Sequence, residues 1–304
     1  MRKIIHYISA YTREVDKKIL VLVSFFTATL VFINYTYGLN EWIREKNIFP
    51  IKLFAWYTVF LAAFGIPWWI TRLIHHKKES PPRLFYLFIF TAPFIFALKL
   101  TLDFPIAFSA NDDWNQYWND IVYWPLLVLI ILGLMSLFRR VFQPGMPFYG
   151  SATKNISWQP YFLMLLIMLP LVALASTQPD FLAMYPRMKM MGHLFDDPAL
   201  GWWHKLLFEL SYGSDFITIE FFFRGFLVLA VARWGGKDVI LPMACFYCTI
   251  HFGKPLGECI SSYFGGILLG IVSLQTRSVY GGLIVHLGIA WMMELGGHIG
   301  NHLR

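Results

Sequence analysis

Six residues, Glu220-Phe221-Phe222-Phe223-Arg224-Gly225, set a carboxylate and a guanidinium inside an otherwise apolar run. An ionisable side chain in a membrane segment costs roughly 3 kcal/mol or more unless it is paired or faces water, so this pair marks a functional site by default. Spaced four apart, Glu220 and Arg224 fall on one face of an α-helix, within pairing reach. Two roles are open to them. One is an intrahelical ion pair that fixes the helix in its bundle. The other makes Glu220 the general base that activates a water, a task for which a carboxylate bound to a guanidinium is poorly suited. A second acid such as Asp215 or Glu294 could then take Arg224.

Two histidines extend the set. Tyr247 with His251, and His286 with Ala290, repeat the four-residue spacing on later apolar segments, each spacing sharing one helix face. A single buried histidine commonly does no more than donate to a backbone carbonyl. Two of them beside a buried acid point to one polar cavity lined by Glu220, His251 and His286. These three also make a two-histidine, one-carboxylate set of the kind that holds zinc with one position open, which makes a divalent metal such as zinc the candidate cofactor. Cys245-Phe246-Tyr247-Cys248 has CxxC spacing three residues before His251. On a buried helix such cysteines serve mostly as small packing residues. His298 and His302, four apart near the C-terminus, read as a solvated tail, and no Walker-type phosphate loop occurs.

The elements that must position these residues are membrane helices. Of 304 residues, 57% are hydrophobic and only 14% charged, with a mean hydropathy of +0.55. A soluble chain carries roughly 25% charged residues, so this one lacks the makings of a wetted surface. Hydropathy predicts spans near 18–38, 52–74, 84–102, 120–138, 160–177, 206–232, 238–253, 258–275 and 279–297, most of them near the ~20 residues a bilayer requires. The expected architecture is an all-α, polytopic transmembrane bundle of eight or nine spans.

The formal charge of +7 sits in short connections rather than on one amphipathic face, which excludes a nucleic-acid partner and fits loops held on the positive side of a membrane. The N-terminal arm, the run from Arg72 to Lys78, Arg139-Arg140, Arg233 with Lys237, and Arg277 fall on every second connection, predicting a cytoplasmic N-terminus. The first 18 residues lack a small-residue cleavage site and read as an uncleaved anchor. Residues 1–177 hold almost no ionisable groups within their spans, whereas 178–304 hold Glu209, Asp215, Glu220, Arg224, His251, His286 and Glu294. The chain therefore divides into an N-terminal set of helices and a C-terminal core that carries the chemistry. The long connection 178–204, with Pro179, Pro186 and several methionines, suits a position on the membrane surface.

In order and spacing the three motifs resemble the CPBP family, intramembrane proteases that include type II CAAX prenyl endopeptidases, bacteriocin-processing enzymes and Abi-like proteins. Its signatures look like Glu-Glu-x-x-x-Arg, Phe-x-x-x-His and His-x-x-x-Asn on successive helices, and the resemblance covers roughly residues 205–295. It implies an intramembrane peptidase with Glu220, Arg224, His251 and His286 as its catalytic set. In the family the first glutamate and the first motif histidine activate water, while the second histidine and the asparagine stabilise the oxyanion; a metal has also been invoked. Ile219 stands where the first glutamate is expected, Tyr247 where the phenylalanine is, and Ala290 where the asparagine is. The implied substrate is a hydrophobic or membrane-associated peptide reached from the lipid bilayer, and the implied location is a bacterial inner membrane. Ile219 and Ala290 keep a second reading open, a catalytically impaired relative acting as a membrane binding or immunity factor. A transporter or channel is a third, but would spread its charges over both halves of the chain.

Overall fold

Apolar runs flanked by polar stops become helices throughout the computed structural model, which describes residues 2–75, 82–152 and 158–303. In chain order these are α1 (Arg2–Glu14), α2 (Lys17–Tyr37), α3 (Leu39–Arg44), α4 (Phe49–Ile74), α5 (Arg83–Thr101), α6 (Asp112–Phe142) and α7 (Gln159–Ala175). The short α8 (Pro179–Met184) and a 3-10 segment (Arg187–Asp196) lead to α9 (Trp202–Glu220). A π-helical stretch (Phe221–Leu229), α10 (Ala232–Gly235), α11 (Ile240–Thr249), α12 (Leu256–Thr276) and α13 (Tyr280–His302) follow. Among the described residues there is no strand, only an isolated bridge between Ser151 and Ser278. His76, Lys77 and Lys78 of the predicted basic connection lie outside the described residues.

Local chemistry accounts for the ends. Asp16 caps α2, its carboxylate accepting from Lys18 N at 2.8 Å, and Gly38 closes the same helix in the left-handed region at φ 64°. Among the described residues six helices, α2, α4, α5, α6, α12 and α13, are long and apolar enough to cross a membrane by length and composition, and α7 is a shorter apolar helix. This is the polytopic all-α bundle that hydropathy predicts.

Two predicted spans differ in detail. The run 206–232 is not one α-helix: α9 stops at Glu220 and the backbone widens to π geometry, with Ala230 N donating to Gly225 O at 3.1 Å. Gly225 shows what the altered path accommodates, since a Cβ there would come within 2.6 Å of Tyr149 O. The run 238–253 gives only the ten-residue α11, because Gly253 at φ 83° and Pro255 end the helix early. His251 therefore lies in the turn after α11 rather than on it.

The chain forms two compact units. One comprises Met1–Leu102, Leu134–Ile156 and Phe221–Val279. In it α11 packs against α12 and α4, and α4 against α5, around Phe60, Phe96, Phe222, Phe223 and Phe246, all fully buried or nearly so. The other comprises Asp103–Gly133, Ser157–Glu220 and Tyr280–Arg304, with α13 packed on α7 and α9. The connection 178–204 is folded within this second unit: Met188, Met191 and Leu194 are buried with Tyr117 and Phe208, and Tyr117 O–H donates to His204 O at 2.9 Å.

Candidate active site

Glu220 is the last residue of α9, where α geometry gives way to the π stretch, and it is fully buried. A carboxylate withdrawn from water must recover its lost hydration from donors nearby. One such donor is on α13, where His286 Nδ1 lies 3.0 Å from Glu220 Oε1, so that Nδ1–H donates to the carboxylate. In a neutral imidazole this leaves the lone pair on Nε2. Gly282 stands one turn before His286 on the same face of α13 and makes the approach possible, because a Cβ at that position would collide with Glu220 Oε2. Phe216, one turn before Glu220, sets its ring edge-on to His286 with centroids 4.6 Å apart. Ala290 follows one turn after His286 and is buried, as is Ile219.

Arg224 and His251 belong to the other unit and meet through a shared neighbour. The Arg224 guanidinium, fully buried in the π stretch, lies 4.2 Å from the centre of the Tyr247 ring. A desolvated guanidinium over an aromatic face is a favourable cation–π arrangement. His251 folds back on the same tyrosine: its Nδ1–H donates to Tyr247 O at 2.9 Å, and the two rings sit 4.8 Å apart. Here too the bond from Nδ1 places the lone pair of the neutral ring on Nε2. Phe223 flanks Tyr247 at 5.0 Å.

Among the described residues no three His, Cys, Asp or Glu side chains come together closely enough to hold a metal ion. His286 and His251 each engage an acceptor through Nδ1, the first a carboxylate and the second a backbone carbonyl. The three cysteines are buried and unbridged, and the Cys248 thiol faces Cys259 with 3.9 Å between sulfurs rather than joining Cys245 in a ligand pair. Near the C-terminus the His298 and His302 rings lie 4.3 Å apart at a tilt of 49°, with His302 Nδ1–H donating to His298 O.

One charge escaped the sequence reading. Lys99, near the end of the apolar run of α5, is only 5% exposed, with its ammonium 5.4 Å from the Phe96 ring. The signal was present as a single lysine inside a predicted span, overshadowed by the richer C-terminal set.

Residues 202–292 match the family described as Type II CAAX prenyl endopeptidase Rce1-like, and residues 1–201 lie outside the match. The matched stretch contains Glu220, Arg224, His251 and His286, with Ile219 and Ala290. No curated protein and no solved structure matches the chain.

Proposed function

We propose, from the Rce1-like domain at residues 202–292, that this integral membrane protein hydrolyses a peptide bond of a hydrophobic or membrane-associated peptide. The observation that carries the reading is the Glu220–His286 hydrogen bond inside the matched stretch. A carboxylate that accepts from Nδ1–H holds the imidazole in one tautomer and stabilises the imidazolium that forms when Nε2 takes a proton. His286 Nε2 then removes a proton from water as its oxygen attacks the peptide carbonyl. The C–N bond breaks, and the imidazolium returns the proton to the departing amine. Glu220 is a positioning residue in this scheme rather than the base itself. His251 follows the family resemblance as the residue that orients or deprotonates water through Nε2, and Arg224 supports it through Tyr247. The alternating basic connections favour a cytoplasmic N-terminus in a bacterial-type inner membrane. The family's name suggests a prenylated substrate, but prenylation is absent from most bacteria.

The test is cleavage of a library of hydrophobic peptides by the purified protein, its Glu220→Ala variant and its His251→Ala variant. Loss of cleavage in both variants is expected, and equal cleavage by all three would sink the assignment. Stoichiometric zinc in the wild type, lost in His286→Ala, would overturn the metal-free step. Ile219 and Ala290 favour a second reading, a binding or immunity factor of the same descent that no longer cleaves. Ile219 is 7% exposed, so a glutamate there would be desolvated beside Glu220. On this second reading Ile219→Glu supplies the missing general base and raises a near-zero rate by roughly 10²-fold. On the first reading it leaves the rate within a few-fold of wild type.

A further inference from the structure

A second polar cluster lies on α9 and α13, away from the histidine pair and within the same unit. A cavity of about 470 Å³ is bounded by the start of α9, the last turns of α13 and the 186–195 segment. That volume is within the usual range for small-molecule sites, about 300–1,000 Å³. Leu206, Leu210, Trp291 and Leu295 give it apolar walls, and Lys205, Glu209, Glu294 and His298 are its ionisable members. Glu294 is 6% exposed and accepts from Arg187 N at 2.7 Å through Oε2. Glu209 Oε2 is withdrawn from solvent and has no hydrogen-bond partner among the described residues. The Lys205 ammonium stands 5.5 Å from the Phe195 ring. The acidic members thus stand beside one ammonium and one imidazole.

The cavity is separate from the Glu220–His286 pair. Between them Gly213 on α9 packs tightly on α13, where an added Cβ would meet Leu287 at 3.1 Å and Trp291 at 3.4 Å. A carboxylate oxygen buried without a donor is costly, and an N–H donor that also carries positive charge relieves it best. Apolar walls beside that oxygen favour an occupant with an apolar body over a hydrated inorganic ion.

We infer that this cavity binds an amphiphile with an ammonium head and an alkyl chain, the head donating to Glu209 Oε2 and the chain lying along Leu206, Leu210, Trp291 and Leu295. The head could belong to a free alkylamine or to an aminophospholipid, and the site recognises the same chemistry in either.

The full chain in phosphatidylcholine nanodiscs, titrated with dodecylammonium and with dodecyl sulfate, tests this. Wild type should take dodecylammonium saturably and the sulfate not at all. Glu209→Gln should bind the amine about tenfold more weakly, as expected for losing one hydrogen bond to a charged group. Leu210→Trp keeps both carboxylates and fills the cavity, so it should abolish binding even where Glu209→Gln fails to fold. Replacing the lipid with phosphatidylethanolamine separates the sources. Weakened dodecylammonium binding in wild type identifies the lipid head as an occupant, and unchanged binding identifies the free amine. The inference is overturned if Glu209→Gln or Leu210→Trp binds dodecylammonium as tightly as wild type, or if the sulfate binds as well as the amine. None of these outcomes depends on whether the protein cleaves peptides.

Discussion

Gly282→Val is expected to abolish peptide cleavage as completely as Glu220→Ala, although it removes no polar atom. The glycine lies against the Glu220 carboxylate, and any Cβ would occupy the space that Oε2 now fills. Glu220 is fully buried at the end of α9 and has little room to retreat. Either the carboxylate swings away and the 3.0 Å bond to His286 Nδ1 is lost, or α13 moves and carries His286 with it. When a histidine loses the carboxylate that fixes its tautomer, the rate falls by up to about 10⁴-fold, so a loss on the order of 10³-fold is expected here. Overpacking alone costs about 1–3 kcal/mol. A control on the same helix separates the two effects. Gly288→Ala crowds the flexible end of Leu165 and not the carboxylate, so it should lower the melting temperature while keeping most of the activity. Gly265 on α12 has open space around it, and Gly265→Ala should change neither. The measurements are initial rates on a cleaved peptide and thermal unfolding in the same detergent. A Gly282→Val protein that melts normally and cleaves at the wild-type rate would show that the carboxylate contact has no part in the reaction.

What the sequence allowed to be read follows from which interactions are local. Helices α2, α4, α5, α6, α12 and α13 stand out in hydropathy because a lipid-facing helix needs an unbroken apolar run, and runs are a local property. The residues of the site were also readable, since an acid, a base and two histidines in apolar surroundings are costly wherever they occur. Their contacts were not. The four-residue spacing put Arg224 within reach of Glu220 but gave no sign of the bond from His286, 66 positions away in the chain, which depends on the missing side chain of Gly282. The same spacing put Tyr247 and His251 on one helix face, whereas His251 lies in the turn past Thr249 and reaches the tyrosine's carbonyl from there. The widening of the backbone after Glu220 has no hydropathy signature, because Phe221 to Leu229 are as apolar in π geometry as in α, apart from Arg224. π stretches of this kind occur often at functional sites.

Arg224 is expected to show one of the largest couplings in the molecule with the ring of Tyr247. The guanidinium is fully withdrawn from water and stands 4.2 Å from the ring centre, with Phe223 flanking the tyrosine. A desolvated cation over an aromatic face is worth about 2 kcal/mol. In a double-mutant cycle of Arg224→Met and Tyr247→Leu, each single change should destabilise the protein, and the pair should fall short of their sum by about 2 kcal/mol. Tyr247→Phe keeps the ring and should preserve most of the coupling, which separates the π face from the hydroxyl. Arg224→Lys should not substitute, because a compact ammonium cannot lie flat on the ring as a guanidinium does. The backbone carbonyl of Tyr247 holds His251 Nδ1, so loosening the ring should also loosen the turn that presents the histidine. Arg224→Met is therefore expected to lower the cleavage rate along with the stability. Denaturant unfolding in micelles, followed by near-ultraviolet circular dichroism, measures the cycle. A coupling indistinguishable from zero would mean that Arg224 is held by other groups and that Tyr247 is only its neighbour.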